Sequence, residues 1–132
     1  MNVVFDAQAL LTLYLNEKGA ERVEDLLNRV LEGEITGIVN AVNLAELYYI
    51  LARKSSKVAE EKERNLRGYG VKVIPVQDDE LWKNAALLKA KHTLSLADAF
   101  ALATAKKHRA VLVTGQDPDF KGLKDFMIER VG

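Results

Sequence analysis

Cysteine is absent from this sequence of 132 residues, and histidine occurs only twice. Without cysteine the protein can form no disulfide, no thiolate zinc site and no cysteine nucleophile. The two histidines, His92 and His108, are too few for most metal sites that are built from imidazole groups. The composition therefore excludes several common kinds of catalytic centre and directs attention to side chains that carry oxygen.

An excess of one charge is also lacking, because 19 Lys and Arg residues balance 19 Asp and Glu residues. Any contact with nucleic acid has to come from a local basic patch. No apolar run approaches the roughly 20 residues that span a bilayer. The apolar N-terminal segment has no basic region before it and is interrupted by Asp6, so we expect no signal peptide. These features predict one cytoplasmic globular domain over residues 1–132.

Hydrophobic periodicity predicts strands and helices in alternation along the chain. Strands are expected at residues 3–5, 35–39, 71–76 and 110–114, with a short fifth strand at 126–128. Helices are expected at residues 7–16, 20–31, 41–54, 56–69, 78–91 and 95–108, and the helix at 41–54 looks mostly buried. This order predicts an α/β fold with a central parallel sheet of four to five strands flanked by helices.

Three carboxylates, Asp6, Glu46 and Asp98, are each the only charge in a long apolar run. Apolar runs become buried, and a lone buried carboxylate is costly unless it is paired, hydrogen-bonded or bound to a metal. Ligands of parallel sheets bind beyond the carboxyl ends of the strands. Asp6 follows the first predicted strand and Asp117 follows the fourth, so both are expected at that edge.

Each acid also has a purely structural interpretation. Asp6 could cap the first helix, and Asp98 stands three residues after Ser95 in a pattern that resembles a capping box. Glu46 is in the middle of its helix, which excludes capping and favours burial, with an ion pair to a distant Arg or Lys as the alternative. Asp117 lies in a turn, where aspartate is common for local hydrogen bonding.

Taken together, the acids favour a metal site. Carboxylates that are close together repel one another, and a hard cation such as Mg²⁺ or Mn²⁺ removes that penalty and prefers oxygen ligands. Such a metal can activate water and neutralise charge on a phosphodiester, which suits phosphoryl-transfer chemistry. Thr114 could supply a supporting hydroxyl, and Asn43, one helical turn before Glu46, could orient that carboxylate.

The sequence resembles the PIN-domain ribonucleases, and among them the VapC-type toxins of toxin–antitoxin pairs, nearly from end to end. Residues 3–7 look like the family's first strand and first acid, and residues 43–47 look like its second-acid helix. Residues 95–99 look like the third acid, which is the most specific of these motifs, and residues 113–115 look like the fourth segment. The resemblance implies an Mg²⁺- or Mn²⁺-dependent endoribonuclease, a homodimer, and a small antitoxin protein as partner.

The fourth segment departs from the family pattern. The family usually places its fourth acid directly after the Thr-Gly pair, where this chain has Gln116. Asp117 follows one position later and is the favoured fourth acid, while Asp119 remains open. Gln116 could instead hydrogen-bond water or substrate. If neither aspartate reaches the other acids, activity is expected to be low.

Two basic groups are candidates for contact with RNA. Arg53, Lys54 and Lys57 follow the helix that carries Glu46, and a second group, at residues 106–109, follows the helix that carries Asp98. The alternative is that these residues only complement helix dipoles. Trp82, Tyr48 and Tyr49 are expected in the core or an interface, and both histidines at the surface.

Two other protein classes fit the sequence less well than the nuclease. A haloacid-dehalogenase-type phosphatase needs a second aspartate where this chain has Gln8, and the acidic pair of a receiver domain is missing after the first strand. A housekeeping PIN nuclease in RNA processing and a non-catalytic PIN-like binding module both remain alternatives. The small size favours the toxin. The hypothesis is that Asp6, Glu46, Asp98 and Asp117 hold the metal and that a metal-activated water hydrolyses RNA phosphodiesters.

Overall fold

The computed structural model describes residues 1–115, 120 and 122–132, and these form alternating strands and helices. No helix in this part of the chain is both long and apolar enough to cross a membrane. The elements in chain order are β1 (Asn2–Phe5), α1 (Ala7–Tyr14), α2 (Ala20–Leu31), β2 (Thr36–Asn40), α3 (Ala41–Ala52), α4 (Ser56–Gly68), β3 (Lys72–Ile74), α5 (Asp79–Lys91), α6 (Leu96–Lys107), β4 (Val111–Thr114) and β5 (Ile128–Arg130).

The described strands form one parallel sheet in the order β3-β2-β1-β4-β5, which confirms the predicted α/β class. The chain builds outward from β1 through β2 to β3, and then returns to place β4 on the other side of β1. The strand order therefore reverses between β1 and β4. In parallel sheets, this reversal leaves a crevice at the carboxyl ends of the two strands.

Both faces of the sheet are covered by helices. Val3 and Phe5 pack into a cluster with residues of α1, α2, α3 and α4, whereas Val4 points to the other face and packs with residues of α5 and α6. Side chains alternate between the two faces along a strand. The same alternation places Val113 in the first cluster and Leu112 in the second.

Several boundaries differ from those that the sequence predicts. Strand β3 ends at Ile74, directly before Pro75, because proline has no N–H for the ladder. Strand β5 begins at Ile128 rather than at residue 126. The prediction that α3 is mostly buried is wrong, since its buried residues are Asn43, Leu47 and Leu51. These three are spaced by four residues and form a single stripe, and the rest of the helix is half-buried or exposed.

Gly37 in β2 lies where α2 crosses the sheet closely. A Cβ atom there would stand 2.7 Å from Cγ2 of Val30 and 3.3 Å from Cε2 of Phe5. Because both neighbours are packed in the core, we expect Gly37→Ala to lower the free energy of unfolding by about 1–3 kcal/mol. The measurement is equilibrium denaturation in urea.

Gly68→Ala at the end of α4 is the matched control, because nothing lies within 4 Å of its added Cβ. That variant should be neutral or more stable by up to about 1 kcal/mol. Equal stabilities for the two variants would contradict the packing described for β2.

Candidate functional site

Asp6 occupies the link between β1 and α1, beside the reversal of strand order. It is only 1% exposed, and its backbone N–H donates to the carbonyl of Val113 in β4 at 3.1 Å. Its Oδ1 accepts from the N–H of Ala9 at 2.8 Å, and its Oδ2 accepts from the hydroxyl of Thr114. The capping role that the sequence allowed is therefore real, and the carboxylate is also held against the end of β4.

Asp98 lies in the first turn of α6 and is 6% exposed. The hydroxyl of Ser95, the N-cap residue, accepts from the Asp98 N–H at 3.1 Å, as the predicted cap requires. A carboxylate in the first turn is favourably placed toward the positive end of the helix dipole. The local sequence thus both begins α6 and places an acid at its N-terminus.

Glu46 is in the middle of α3, as predicted, but the expectation of burial is wrong because the residue is only half-buried. It lies beside the buried stripe of α3 rather than on it. Glu46 borders a recess of about 530 Å³ between α3 and the start of α6. Val42 and Tyr49 line the same recess from α3, and Ser95 and Ala97 line it from the other side.

Asn43 connects the segments that carry the first and third acids. Its Oδ1 accepts from the N–H of Ala7 at 3.3 Å, and its Nδ2 donates to the carbonyl of Ala97 at 3.2 Å. The sequence suggested that Asn43 could orient Glu46, whereas these two hydrogen bonds reach α1 and α6. Sequence analysis missed the bridge, because it depends on how the helices pack.

Asn40 and Thr104 form a buried hydrogen bond that was not predicted from the sequence. Asn40 caps α3 by accepting from the N–H of Val42 at 2.8 Å, and its Nδ2 donates to the hydroxyl of Thr104 at 3.0 Å. The Thr104 hydroxyl in turn donates to the carbonyl of Phe100 at 2.7 Å. Asn40 and Thr104 are both fully buried. The only sequence signal for this pair was the presence of polar residues in otherwise apolar segments.

The fourth segment is described only as far as Gly115. The predicted residues Gln116, Asp117 and Asp119 lie outside the described residues. Within residues 1–115, 120 and 122–132, no three Asp, Glu or His side chains group closely enough to form a metal site by themselves. Mg²⁺ commonly uses only one or two carboxylates together with water and substrate phosphates, and the oxygen-only donors here suit such a hard cation.

The predicted basic residues and the two histidines differ in their contacts and their exposure. Lys107 forms an ion pair with Asp78, and this hydrogen-bonded contact lowers the pKa of the Asp78 carboxyl. The guanidinium of Arg53 lies 4.8 Å from the centre of the Tyr49 ring, at the exposed side of α3. His92 is exposed, whereas His108 is half-buried, and burial lowers the pKa of its imidazole.

Solved structures of similar fold include several toxin–antitoxin proteins. The VapBC2 complex of Rickettsia felis bound to a DNA fragment from its promoter has a TM-score of 0.77 and 16% identity, with both chains covered completely. A toxin–antitoxin complex from Klebsiella pneumoniae has a TM-score of 0.72 and 21% identity, with 92% of each chain covered. VapC20 of Mycobacterium tuberculosis, a toxin that cleaves the sarcin-ricin loop, has a TM-score of 0.67 and 16% identity, over 83% of this chain and 86% of its own.

At such identities these similarities establish the fold alone. No curated protein matches the sequence significantly. A family model, described as the PIN domain, matches residues 3–125, which is nearly the whole chain. The matched residues include Asp6, the whole of α3 with Glu46 and the whole of α6 with Asp98. This chain is therefore a member of the PIN domain family.

Proposed function

We propose that the protein is a divalent-metal-dependent endoribonuclease that acts in the cytoplasm as the toxin of a toxin–antitoxin pair. The main observation behind the proposal is that hydrogen bonds hold Asp6 at the crevice between β1 and β4. Its backbone is bonded to Val113, and its carboxylate is bonded to Ala9 and Thr114. A buried acid that is held so firmly at the ligand-binding edge of a parallel sheet suits a metal site.

In this proposal Asp6, Glu46 and Asp98 hold Mg²⁺ or Mn²⁺, and Asp117 is the fourth acid. Thr114 keeps the Asp6 carboxylate turned toward the crevice, and Gln116 and Asp119 are the candidates for further contacts. When bound, the cation supplies Lewis acidity toward the phosphodiester and lowers the pKa of water for attack. The chain's own part is to fix the carboxylates in place and to leave room for substrate.

The substrate is proposed to be RNA, approaching through the recess beside Glu46. The recess is open to solvent along α3, where Arg53 and Tyr49 lie close together. Arg53, Lys54 and Lys57 supply the positive charge that a phosphate backbone requires, and phosphate contacts of this kind carry no sequence information. The cleavage of the sarcin-ricin loop by VapC20, a protein of similar fold, supports this substrate class.

Two partners belong to the proposal. A small antitoxin protein is supported by the toxin–antitoxin complexes among the structures of similar fold. A homodimer is supported by large apolar side chains that remain exposed in a single copy, among them Tyr49 on α3, Trp82 and Leu87 on α5, and Leu96 at the start of α6. Apolar side chains that are exposed in a single copy can be buried in an interface between two copies.

Cleavage of RNA by this protein should depend on a divalent cation and on Asp98. Purified protein should cleave single-stranded RNA with Mg²⁺ or Mn²⁺ and should lose activity in EDTA. Asp98→Asn should lower kcat on the order of 10²-fold or more, because it removes charge that stabilises the cation and the transition state. Cleavage is followed with an end-labelled oligonucleotide.

Glu61→Gln is the control for that experiment, since Glu61 is an exposed acid of α4 and carries the same charge. Cleavage that persists in EDTA, or a folded Asp98→Asn protein with full activity, would defeat the mechanism. No cleavage by the wild type combined with tight antitoxin binding would indicate the non-catalytic binding module. Cleavage without any inhibitory antitoxin encoded by a neighbouring gene would favour the housekeeping nuclease.

Removal of the metal should change how Asp98 affects stability. Asp98→Asn removes one of several like charges that are proposed to lie close together, so its melting temperature in EDTA should equal or exceed that of the wild type. Added Mn²⁺ should stabilise the wild type by about 2.7 kcal/mol at 100 times its Kd, and should stabilise the variant less. Differential scanning calorimetry measures both effects. A large loss of stability in EDTA would instead show that Asp98 has a mainly structural role.

The proposed homodimer should be detectable by analytical ultracentrifugation. At micromolar concentration the protein should sediment as a dimer, and Trp82→Glu or Tyr49→Glu should shift it toward the monomer because a charge in an apolar interface is costly. Glu61→Gln should leave the sedimentation coefficient unchanged. A wild-type protein that sediments as a monomer would contradict the dimer.

A further inference from the structure

The side chain of Asn43 is 1% exposed and lies where α1, α3 and α6 meet. Its amide oxygen is bonded to Ala7, the residue directly after Asp6. Its amide nitrogen is bonded to Ala97, the residue directly before Asp98. A single side chain thus joins the backbone beside one acid to the backbone beside another.

The two backbone groups that bind Asn43 are suited to an external partner. Ala7 is the first residue of α1, so its N–H has no acceptor within the helix. The Asp6 carboxylate does not fill this place, since its Oδ1 accepts from Ala9 two residues further on. The carbonyl of Ala97 has two lone pairs and can accept from Asn43 in addition to a helical donor.

The position requires both a donor and an acceptor at the end of a short side chain. An amide provides both, whereas a carboxylate only accepts when it is ionised. Alanine would leave the N–H of Ala7 and the carbonyl of Ala97 without this partner in a buried place, and aspartate would keep only the bond to Ala7. The chemistry of Asn43 therefore matches the two groups it joins.

We propose that Asn43 is a positioning residue that sets the separation between Asp6 and Asp98 and thereby their affinity for a divalent cation. The inference rests on the proposed function, because it concerns the same site. Asn43 does not touch the cation or the substrate in this account. It acts by fixing the first turns of α1 and α6 relative to each other, as outer partners of metal ligands do.

The hydrogen bond between Asn40 and Thr104 offers a matched control. It is also buried, and it also fastens α6 to the segment that contains β2 and α3. Thr104 lies six residues after Asp98, about 9 Å along the helix. Thr104→Val removes the hydroxyl with little change of shape, so it should destabilise the protein without moving the first turn of α6.

The experiment compares Asn43→Ala, Asn43→Asp and Thr104→Val with the wild type. Mn²⁺ affinity is measured by electron paramagnetic resonance, and exchange of the Ala7 amide proton is measured by NMR in the metal-free protein. Both Asn43 variants should bind Mn²⁺ about 10–100-fold more weakly, with a lower kcat on RNA and little change in KM. Thr104→Val should keep the wild-type affinity within about twofold, since distant sites act independently.

Exchange at Ala7 should become faster in Asn43→Ala and remain slow in Asn43→Asp, which retains the acceptor. The proposal is overturned if Asn43→Ala binds Mn²⁺ as tightly as the wild type, or if Thr104→Val loses as much affinity. It is also overturned if Asn43→Asp binds Mn²⁺ and cleaves RNA like the wild type, because the hydrogen bond to Ala97 would then not be needed. Should Asn43→Ala fail to fold, Asn43→Asp decides the matter. A wild type that binds Mn²⁺ but cleaves no RNA defeats the proposed ribonuclease, and the Mn²⁺ affinities still test Asn43.

Discussion

The burial of negatively charged side chains is the constraint on which the proposed function depends. Asp6 and Asp98 are almost completely removed from solvent, and removing an ionised carboxylate from water costs several kcal/mol unless other groups replace the water. Part of the replacement at Asp6 is visible, because the N–H of Ala9 and the hydroxyl of Thr114 both donate to it. The proposed function adds a divalent cation as a further partner of these carboxylates.

The fold places this charge by simple means. A parallel strand that ends at Phe5 delivers the next residue to the carboxyl edge of the sheet, and the return of the chain to β4 brings Thr114 beside it. A helix that begins just after Ser95 brings Asp98 into its own first turn. Each acid is placed by the point at which a strand ends or a helix begins. The hydrogen bonds of Asn43 then join the start of α1 to the start of α6.

Features that depend on short stretches of the sequence could be predicted. The alternation of strands and helices, the position of Asp6 after β1 and the cap at Ser95 are all written in short stretches of residues, and the structure confirms them. The bonds of Asn43 and the pairing of Asn40 with Thr104 join residues that are 36 to 64 positions apart. No local pattern specifies such partners.

The two errors about α3 have one physical cause. Its many apolar residues predicted a mostly buried helix, but a helix on one face of a sheet buries only one stripe, here Asn43, Leu47 and Leu51. Glu46 and Tyr49 lie off that stripe and border the open recess instead. Partial exposure of Glu46 agrees with the proposed role toward a ligand that comes from solvent.

The chain is a member of the PIN domain family and is similar in fold to toxin–antitoxin proteins of 16–21% identity, so metal binding is the decisive question. The most direct measurement is the anomalous diffraction of a crystal grown with Mn²⁺. We expect an anomalous peak within coordination distance of carboxylate oxygens of both Asp6 and Asp98. Anomalous peaks that all lie elsewhere in a protein saturated with Mn²⁺ would contradict the proposed metal site.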